Sequence, residues 1–342
     1  MRVLDGTLRL SLDLEDFLRV APEMQHIVDF DFVPLINKDS TNMNPSDWTK
    51  LAKAVYDRRD AGYNGFVIAH GTDTMHFSAA ALSFAFGQNL KFPVVMTGAQ
   101  TIPEIYHGDA RVNLLRACKV ATSDIAEVVI SFGEYVFRGC RAQKKDGRFD
   151  AFESPAFPPL AYITGDIVSQ PLAVMRKDRT NKPDMDLRAE FEKGILQVSL
   201  IPGFEPELIE PTLISEKCKG IILQSFGAGN VPHEGQYSFE RFIHKAKELN
   251  KPVIITSQLP ANATLHTAYE PGKAAIKAGA IPTGNMTSSC AVVKFRWALA
   301  QINNDICAGR LTESKRIGAV NYMMQEVYVG EMDTIEFKSQ IV

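Results

Sequence analysis

The sequence predicts an α/β protein of two α/β domains: a larger N-terminal domain with a doubly wound sheet and a smaller C-terminal domain with a parallel sheet. Short apolar runs suited to strands alternate with helical stretches, a pattern typical of parallel sheets. With 342 residues the chain is longer than one typical domain. A loop-rich region interrupts the alternation near the middle, which indicates two units.

The first half of the chain is predicted to hold three strands separated by helices. The strands are expected at 66–69, 93–97 and 128–132, and the helices around 46–60, 75–87 and 109–121. Each strand is a short apolar run, as expected of strands covered on both faces.

The second half repeats this alternation after a region rich in loops. That region runs from Phe157 to Asp186 and opens with Phe157-Pro158-Pro159, a proline pair that disfavours helix and strand. We therefore predict domains at 1–170 and 191–342, joined by a linker at 171–190. In the second domain, strands are expected at 195–201, 220–224 and 252–257, and helices around 236–249, 271–279 and 288–302.

Composition narrows the class of function. The formal net charge is −3 and the Lys and Arg residues are scattered, so we expect no nucleic-acid partner. No apolar run reaches membrane-spanning length, and residues 1–20 lack the pattern of a signal peptide. Five cysteines without paired spacing indicate reduced thiols and a cytoplasmic protein. A small-molecule substrate fits these features best.

The segment His70-Gly71-Thr72-Asp73-Thr74 is the strongest candidate site. It follows the strand predicted at 66–69 and precedes a helix, so it places a hydroxyl and a carboxylate beside a helix N-terminus. Ligands of open α/β sheets bind in the crevice beside the strand ends. The alternative is a capped helix start without a ligand, because Thr and Asp are also common capping residues.

Four other segments carry side chains suited to a site, and each also has an ordinary structural explanation. They are 38–48, a polar loop before a helix; 92–100, a strand with a small-residue turn; 138–146, a basic loop that includes Lys144; and 225–232, a glycine-flanked loop. A lysine near Thr and Asp can assist proton removal if burial or a cationic neighbour lowers its pKa, and Arg138, Arg141 and Lys145 are such neighbours. The glycine-flanked loop lacks nucleotide-binding spacings.

Metal and serine-hydrolase patterns are not found in the sequence. The seven histidines do not have the spacing of a zinc site, and there is no G-x-S-x-G motif. We therefore assign His70 and His76 to packing or orientation.

His70-Gly71-Thr72-Asp73-Thr74-Met75, with Asp39-Ser40-Thr41-Asn42-Met43 upstream and Lys144 downstream, resembles the bacterial and archaeal asparaginase family, and specifically its cytoplasmic type I branch. The resemblance continues at 225–232 and 269–287, so it covers nearly the whole chain. It implies hydrolysis of a side-chain amide, that of L-asparagine or of L-glutamine, to the acid and ammonia. It also implies a threonine nucleophile, no metal or organic cofactor, and a homodimer or homotetramer.

The resemblance assigns roles to individual residues. Thr72, Asp73 and Lys144 match the set that activates the attacking hydroxyl or water. Asp39, Ser40 and Thr41 match the loop that holds the α-carboxylate and amino group of the substrate. Ala99 matches the position whose carbonyl faces the scissile amide. Asn230 matches an asparagine that the second domain contributes, often across a subunit boundary.

The chain departs from the family pattern at its start. Family members begin with an apolar strand that leads into Thr-Gly-Gly-Thr-Ile, and the second threonine is the primary nucleophile. In one alignment Asp5-Gly6-Thr7-Leu8 occupies that place and Thr7 is the nucleophile. In the other, which needs no gap and which we prefer, Gly6 to Met24 match a later segment. The strand and its threonine are then expected upstream of Met1, beyond a wrongly assigned start codon.

Two alternatives to asparaginase activity follow. A truncated family member would bind asparagine or aspartate without turnover. The asparaginase-like subunit of a tRNA-dependent amidotransferase shares the motif, although it normally carries an extra N-terminal domain.

Overall fold

The computed structural model describes residues 2–4, 7–9, 14–102, 105, 107–260 and 270–333. The chain divides into two compact units, Met1–Ala189 and Glu190–Val342. The first contains a six-stranded sheet and the second a four-stranded parallel sheet. The predicted α/β class, with a larger N-terminal and a smaller C-terminal sheet, is confirmed.

The first unit contains ten strands and six α-helices among its described residues. They are β1 (Arg2–Leu4), β2 (Thr7–Arg9), α1 (Leu14–Val20), α2 (Met24–Ile27), α3 (Pro45–Tyr56), β3 (Phe66–Ala69), α4 (Met75–Phe86), β4 (Val94–Thr97), α5 (Ala110–Ala121), β5 (Val128–Phe132), β6 (Tyr135–Arg138), β7 (Gln143–Lys144), β8 (Phe152–Glu153), β9 (Ala161–Ile163), β10 (Ile167–Ser169) and α6 (Arg176–Arg179).

The three predicted strands form the parallel part of the main sheet. β3, β4 and β5 lie side by side, with Phe66 opposite Val94 and Val94 opposite Val128. Every residue of β4 and β5 is buried, which accounts for their unbroken apolar sequences. Helix α5 packs on the face that carries Val95 and Val129.

The rest of this sheet is antiparallel and was not predicted. The sheet order is β10-β9-β6-β5-β4-β3. The pairs β5–β6, β6–β9 and β9–β10 are all antiparallel. Strands β9 and β10 fall within the region predicted to be loop-rich. They form a tight hairpin in which Ile163 pairs with Ile167. Strands of three residues are too short to show the alternation of apolar and polar residues that predicts a strand.

The first residues pair with each other. Val3 lies opposite Leu8 in a separate two-stranded sheet. β3 is the edge strand of the main sheet as described. Thr7 begins β2, and its role as a nucleophile stays a prediction.

The second unit is smaller and regular. Its elements are β11 (Ile195–Ser199), β12 (Gly220–Ser225), α7 (Glu240–Glu248), β13 (Val253–Ser257), α8 (Glu270–Ala278), β14 (Ile281–Pro282), α9 (Ser288–Cys307) and α10 (Arg316–Gln325). The four strands pair in chain order. One core joins Ile221 and Ile255 of the sheet to Phe242 of α7 and Ala275 of α8. Residues 261–269, which include Tyr269 of the family-like segment, lie outside the described residues.

A buried ion pair joins α9 to the segment that follows α10. Lys294 Nζ lies 2.6 Å from Glu331 Oε1, and neither side chain has exposed surface. The ammonium also donates to the carbonyl groups of Met324 and Glu326. Glu331 accepts the backbone N–H of Val329 at 2.8 Å. Because both charges are removed from water, each one is stabilised in the core mainly by its pairing with the other.

No helix within the described ranges is long and apolar enough to cross a membrane.

Replacing Lys294 by Met should lower the free energy of unfolding by about 3 to 5 kcal/mol, because it leaves an unpaired buried carboxylate. The double variant Lys294→Met/Glu331→Leu should be less destabilised than the sum of the two single variants. Urea titration followed by circular dichroism measures both. Arg310→Met is the control, because Arg310 pairs with Asp305 at the surface. Equal losses for Lys294→Met and Arg310→Met would contradict the prediction.

Candidate active site

The segment His70-Gly71-Thr72-Asp73-Thr74 forms the turn between β3 and α4. Thr72–Thr74 is a short 3-10 helix that leads directly into α4. Gly71 approaches a neighbouring loop so closely that a Cβ atom there would lie 2.7 Å from Ser40 Oγ. The Thr74 hydroxyl donates a 2.7 Å hydrogen bond to the Ser40 carbonyl. The turn is therefore fastened to the Ser40 loop at two points.

Lys144 reaches this turn from a hairpin later in the chain. It lies in β7, opposite Phe152 of β8, and the Phe152 ring packs against Phe132 with centroids 5.0 Å apart. Lys144 Nζ lies 2.9 Å from Thr72 Oγ1 and 2.6 Å from Asp73 Oδ1. The three side chains selected from the sequence thus meet at one ammonium group.

The trio lies at the boundary between core and solvent. Thr72 is 9% exposed, whereas the side chains of Lys144 and Asp73 are 19% and 56% exposed. Water screens an ion pair with one exposed partner, so this pair adds little to stability. Its main effect is to hold the ammonium beside the Thr72 hydroxyl.

The cations expected to act on Lys144 have other partners. Arg138 forms a buried ion pair with Glu127 at 2.6 Å, and Arg141 lies over the Phe157 ring. Lys145 pairs with Asp150 at the surface. The expectation that they act on Lys144 came from their closeness in sequence, but Arg138 belongs to β6, and Arg141 and Lys145 lie outside strand β7.

The Ser40 loop is held by short-range hydrogen bonds. Asp39 Oδ1 accepts the Thr41 hydroxyl at 2.7 Å and the Thr41 backbone N–H at 2.8 Å. These bonds, the hydroxyl bond first, hold the pKa of the exposed Asp39 carboxyl below its ordinary value. Asp39 therefore remains ionised near neutral pH. Farther along the loop, Asn44 caps α3 in a capping box with Asp47.

Ala99 lies in the turn after β4, next to the turn after β3. The parallel register places Ala69 opposite Thr97, so the two turns leave the sheet side by side. A Cβ atom on Gly98 would lie 2.3 Å from the His70 carbonyl oxygen. Only glycine permits this approach, which brings the Ala99 backbone close to the His70 turn.

A buried carboxylate holds the Ala99 turn. Asp109 is 8% exposed, and it accepts four different donors: Gln100 N at 2.9 Å, Thr101 N at 3.1 Å, Thr101 Oγ1 at 2.9 Å and Asn113 Nδ2 at 3.2 Å. Asn113 Nδ2 also donates to the Gly98 carbonyl at 3.0 Å. The first turn of α5 is thereby joined to both ends of the Ala99 turn.

Two histidine rings lie close to the catalytic candidates. Burial lowers the pKa of His70, against the opposing effect of its bond to the Gly71 carbonyl. Burial also lowers the pKa of His76 to about 4, and the positive charge of Lys144 adds to this shift. Both rings are therefore neutral near pH 7. Within the described part of the chain, no group of three His, Cys, Asp or Glu side chains could hold a metal ion.

Asn230 belongs to the second unit, in the turn after β12. Its backbone N–H donates to the Phe226 carbonyl at 2.8 Å, and the Phe226 N–H donates back to the Asn230 carbonyl at 3.1 Å. Gly227 has a φ of +47° within this turn, and its carbonyl accepts the Ser257 hydroxyl at 2.5 Å. The role of Asn230 toward the Thr72 site stays a prediction.

Comparison with known families identifies the chain. A family model described as "Asparaginase, N-terminal" matches residues 2–173. The chain belongs to the asparaginase family. A second family model, described as "Glutaminase/Asparaginase C-terminal domain", matches residues 195–308. The resemblance first seen in the His70 motif is confirmed and reaches both units of this asparaginase-family chain.

Individual family members resemble the chain over most of its length. An L-asparaginase of Thermococcus kodakarensis is 34% identical over 266 residues, which are 78% of each chain. The solved structure of the thermostable L-asparaginase of that organism superposes with a TM-score of 0.84 at 26% identity, covering 97% of this chain and 95% of its own. One of the subunits of the glutamyl-tRNA(Gln) amidotransferase of Methanosphaera stadtmanae is 30% identical over 96% of this chain and 73% of its own length.

Sequence reasoning missed the residues that support the asparaginase-family site. Asp109 and Asn113 are four apart at the start of a predicted helix, so they share one face, and this spacing could have marked them. Ser78 and Trp48 bond to each other from different helices. No local pattern connects those two, because their contact depends on how α3 packs on α4.

Replacing Asp109 by Ala should lower the free energy of unfolding by about 2 to 4 kcal/mol, because several partly buried donors lose a charged acceptor. Asp109→Asn should cost less, since an amide oxygen still accepts. Urea titration measures the loss. Asp166→Ala is the control, because Asp166 pairs with Lys119 at the surface. A loss no larger than that of the control would show that Asp109 does not hold the turn.

Proposed function

We propose that this chain hydrolyses the side-chain amide of L-asparagine to L-aspartate and ammonia, with Thr72, Asp73 and Lys144 as its catalytic residues. The observation that carries the proposal is the position of Lys144 Nζ, within hydrogen-bond distance of both Thr72 Oγ1 and Asp73 Oδ1. Amide hydrolysis needs an activated nucleophile and a route for its proton. This arrangement supports both.

The hydrogen bonds of Lys144 have a defined direction. A lysine ammonium donates and cannot accept, so Thr72 Oγ1 and Asp73 Oδ1 are both acceptors. The positive charge at 2.9 Å from Thr72 Oγ1 lowers the energy needed to form an alkoxide there. In its charged form, Lys144 thus acts first as an electrostatic stabiliser of the reacting oxygen.

The same contacts support a relay for the proton. With Thr72 as the attacking residue, Lys144 first passes one proton to Asp73 Oδ1, and the resulting amine accepts the Thr72 hydroxyl proton as Oγ1 forms a bond to the amide carbon. The proton then passes to the amide nitrogen, the C–N bond breaks and ammonia leaves an ester on Thr72. Water attacks this ester, the C–Oγ1 bond breaks, aspartate leaves and the Thr72 hydroxyl regains a proton.

The neighbouring loops support recognition of an amino acid. The ionised Asp39 suits the α-ammonium group, and the Ser40 hydroxyl, beside Gly71, suits the α-carboxylate. Thr41, whose hydroxyl donates to Asp39, keeps that carboxylate oriented. The Ala99 carbonyl would accept the amide N–H group of the substrate. These assignments require the α-carbon of asparagine to lie between the Ser40 loop and Thr72.

We further propose that the protein acts in the cytoplasm as a homo-oligomer in which Asn230 completes the site. Cys118 and Cys218 are buried thiols and Cys307 is an exposed thiol, which supports a reducing compartment. Leu208 and Ile214 are 71% and 74% exposed. Apolar side chains exposed to this extent support a contact between subunits.

A second candidate function is ammonia release for a tRNA-dependent amidotransferase. It is favoured by the relatives that are named as subunits of glutamyl-tRNA(Gln) amidotransferases, one of which matches 96% of this chain. These relatives are longer, since the match covers 73% of that protein. A subunit of this kind would free ammonia for a tRNA-linked glutamate, whereas an asparaginase releases ammonia from free asparagine.

Lys144→Met should lower kcat/KM for asparagine by a factor on the order of 10² to 10⁴, because both the stabilising charge and the proton route are lost. Ammonia release from asparagine and from glutamine, each without tRNA, measures the effect. Thr72→Ser, which keeps a hydroxyl, should retain far more activity than Thr72→Val.

Lys145→Met is the matched control, because Lys145 is the next residue and pairs with Asp150 at the surface. Its activity should stay within about twofold of the unmodified chain. An equal loss in Lys144→Met and Lys145→Met would contradict the role of Lys144. Binding of asparagine without ammonia release by the unmodified chain would contradict the proposed hydrolysis.

A further inference from the structure

A line of hydrogen bonds runs from the core of the first unit to the Gly71 carbonyl. Trp48 Nε1 lies 3.1 Å from Ser78 Oγ, Ser78 Oγ lies 3.0 Å from His70 Nε2, and His70 Nδ1 lies 2.6 Å from Gly71 O. Trp48 is 6% exposed and Ser78 is fully buried. Polar groups in such surroundings depend on protein partners because little water reaches them.

The chemistry of its two ends defines the direction of this line. An indole N–H only donates, so Ser78 Oγ accepts from Trp48 and its own proton can point to His70 Nε2. A carbonyl oxygen only accepts, so His70 Nδ1 must carry a proton that it donates to Gly71 O. A neutral imidazole has one N–H, so the bond to Gly71 determines the tautomer, protonated at Nδ1 and bare at Nε2, and the Ser78 hydroxyl then donates to Nε2.

Both ring nitrogens of His70 are thus occupied by protein groups. The bond to Gly71 engages Nδ1 and the bond to Ser78 engages Nε2. The ring therefore has no nitrogen with which to exchange a proton with a substrate. Any effect of His70 on a reaction must pass through Gly71.

The Gly71 carbonyl belongs to the peptide that leads into Thr72. That peptide lies against Ser40, where a Cβ atom on Gly71 would be 2.7 Å from Ser40 Oγ. The direction of the peptide determines where the Thr72 side chain starts, and the Thr72 hydroxyl must lie 2.9 Å from Lys144 Nζ. A rotated peptide would move the hydroxyl away from the ammonium.

We propose that His70 is a positioning residue, held as the Nδ1–H tautomer by Ser78 and Trp48, and that its bond to Gly71 orients the Thr72 hydroxyl toward Lys144. The importance of this for catalysis rests on the proposed function. The orientation of the Gly71–Thr72 peptide by His70 does not rest on that function. The experiment therefore includes a readout that needs no enzymatic activity.

The test compares two variants in which a side-chain amide replaces one or the other ring nitrogen of His70. In His70→Asn the amide nitrogen can occupy the position of Nδ1 and still donate to Gly71, whereas in His70→Gln the amide reaches the position of Nε2 instead. We expect His70→Asn to keep kcat within about threefold. We expect His70→Gln to lower kcat by at least about thirtyfold with little change in KM, as a displaced nucleophile would.

A second readout reports the tautomer and the peptide directly in the full chain. Nitrogen-15 spectra of labelled histidine should show His70 protonated at Nδ1 and bare at Nε2, with the signal assigned by its loss in His70→Asn. Ser78→Ala should disturb this pattern and leave that of the exposed His244 unchanged. The amide signal of Thr72, assigned by its loss in Thr72→Ser, should move more in His70→Gln than in His70→Asn.

A His70 signal protonated at Nε2 overturns the proposal. So do equal losses of kcat in the two variants, or equal movements of the Thr72 amide signal. If the unmodified chain hydrolyses no asparagine, the proposed function fails, but the tautomer and the Thr72 signal still decide whether His70 orients the peptide. Urea titration of both variants separates a displaced turn from a general loss of folding.

Discussion

One ammonium group organises the active site of this asparaginase-family chain. Lys144 lies 2.9 Å from the Thr72 hydroxyl and 2.6 Å from the Asp73 carboxylate. A threonine hydroxyl is a weak nucleophile unless a nearby group stabilises its negative charge or accepts its proton. The contact with Asp73 holds the ammonium beside Thr72 Oγ1. The proposed chemistry depends on this contact.

Two kinds of strand pairing bring these groups together. Thr72 and Asp73 stand at the end of β3, where the parallel register with β4 also brings the Ala99 turn alongside. Lys144 comes from the antiparallel β7–β8 hairpin, whose Phe152 is anchored in the core. Neither structure provides the candidate site alone, because one carries the Thr72 hydroxyl and the other carries the ammonium group.

The turn that bears Thr72 is restrained on several sides. Thr74 bonds to the Ser40 carbonyl, Gly71 packs against Ser40, and His70 bonds to the Gly71 carbonyl. Restraints of this kind keep a nucleophile near its reacting geometry before the substrate binds. They also explain why a histidine and a glycine precede the threonine, although neither is assigned a direct part in the reaction.

The sequence predicted the parallel core well because buried strands are unbroken apolar runs: 66–69 and 128–132 were predicted with the observed bounds. Strands β9 and β10 were missed because a three-residue hairpin leaves no periodic signal. The residues of the candidate site also differ in how well a local segment predicts them. The His70 turn could be recognised from one local segment, whereas the contact of Lys144 with Asp73 spans 71 residues and was expected only from the family resemblance. The supports from Asp109 and Ser78 arise from helix packing, which no short segment encodes.

The most direct test of the central claim is a double-mutant cycle between Thr72→Val and Lys144→Met, read as kcat/KM for asparagine. If Lys144 acts through Thr72, the double variant should be no slower than the slower single variant, since the second change removes an interaction already lost. Losses that multiply in the double variant would contradict the account, because they would mean that Thr72 and Lys144 act independently.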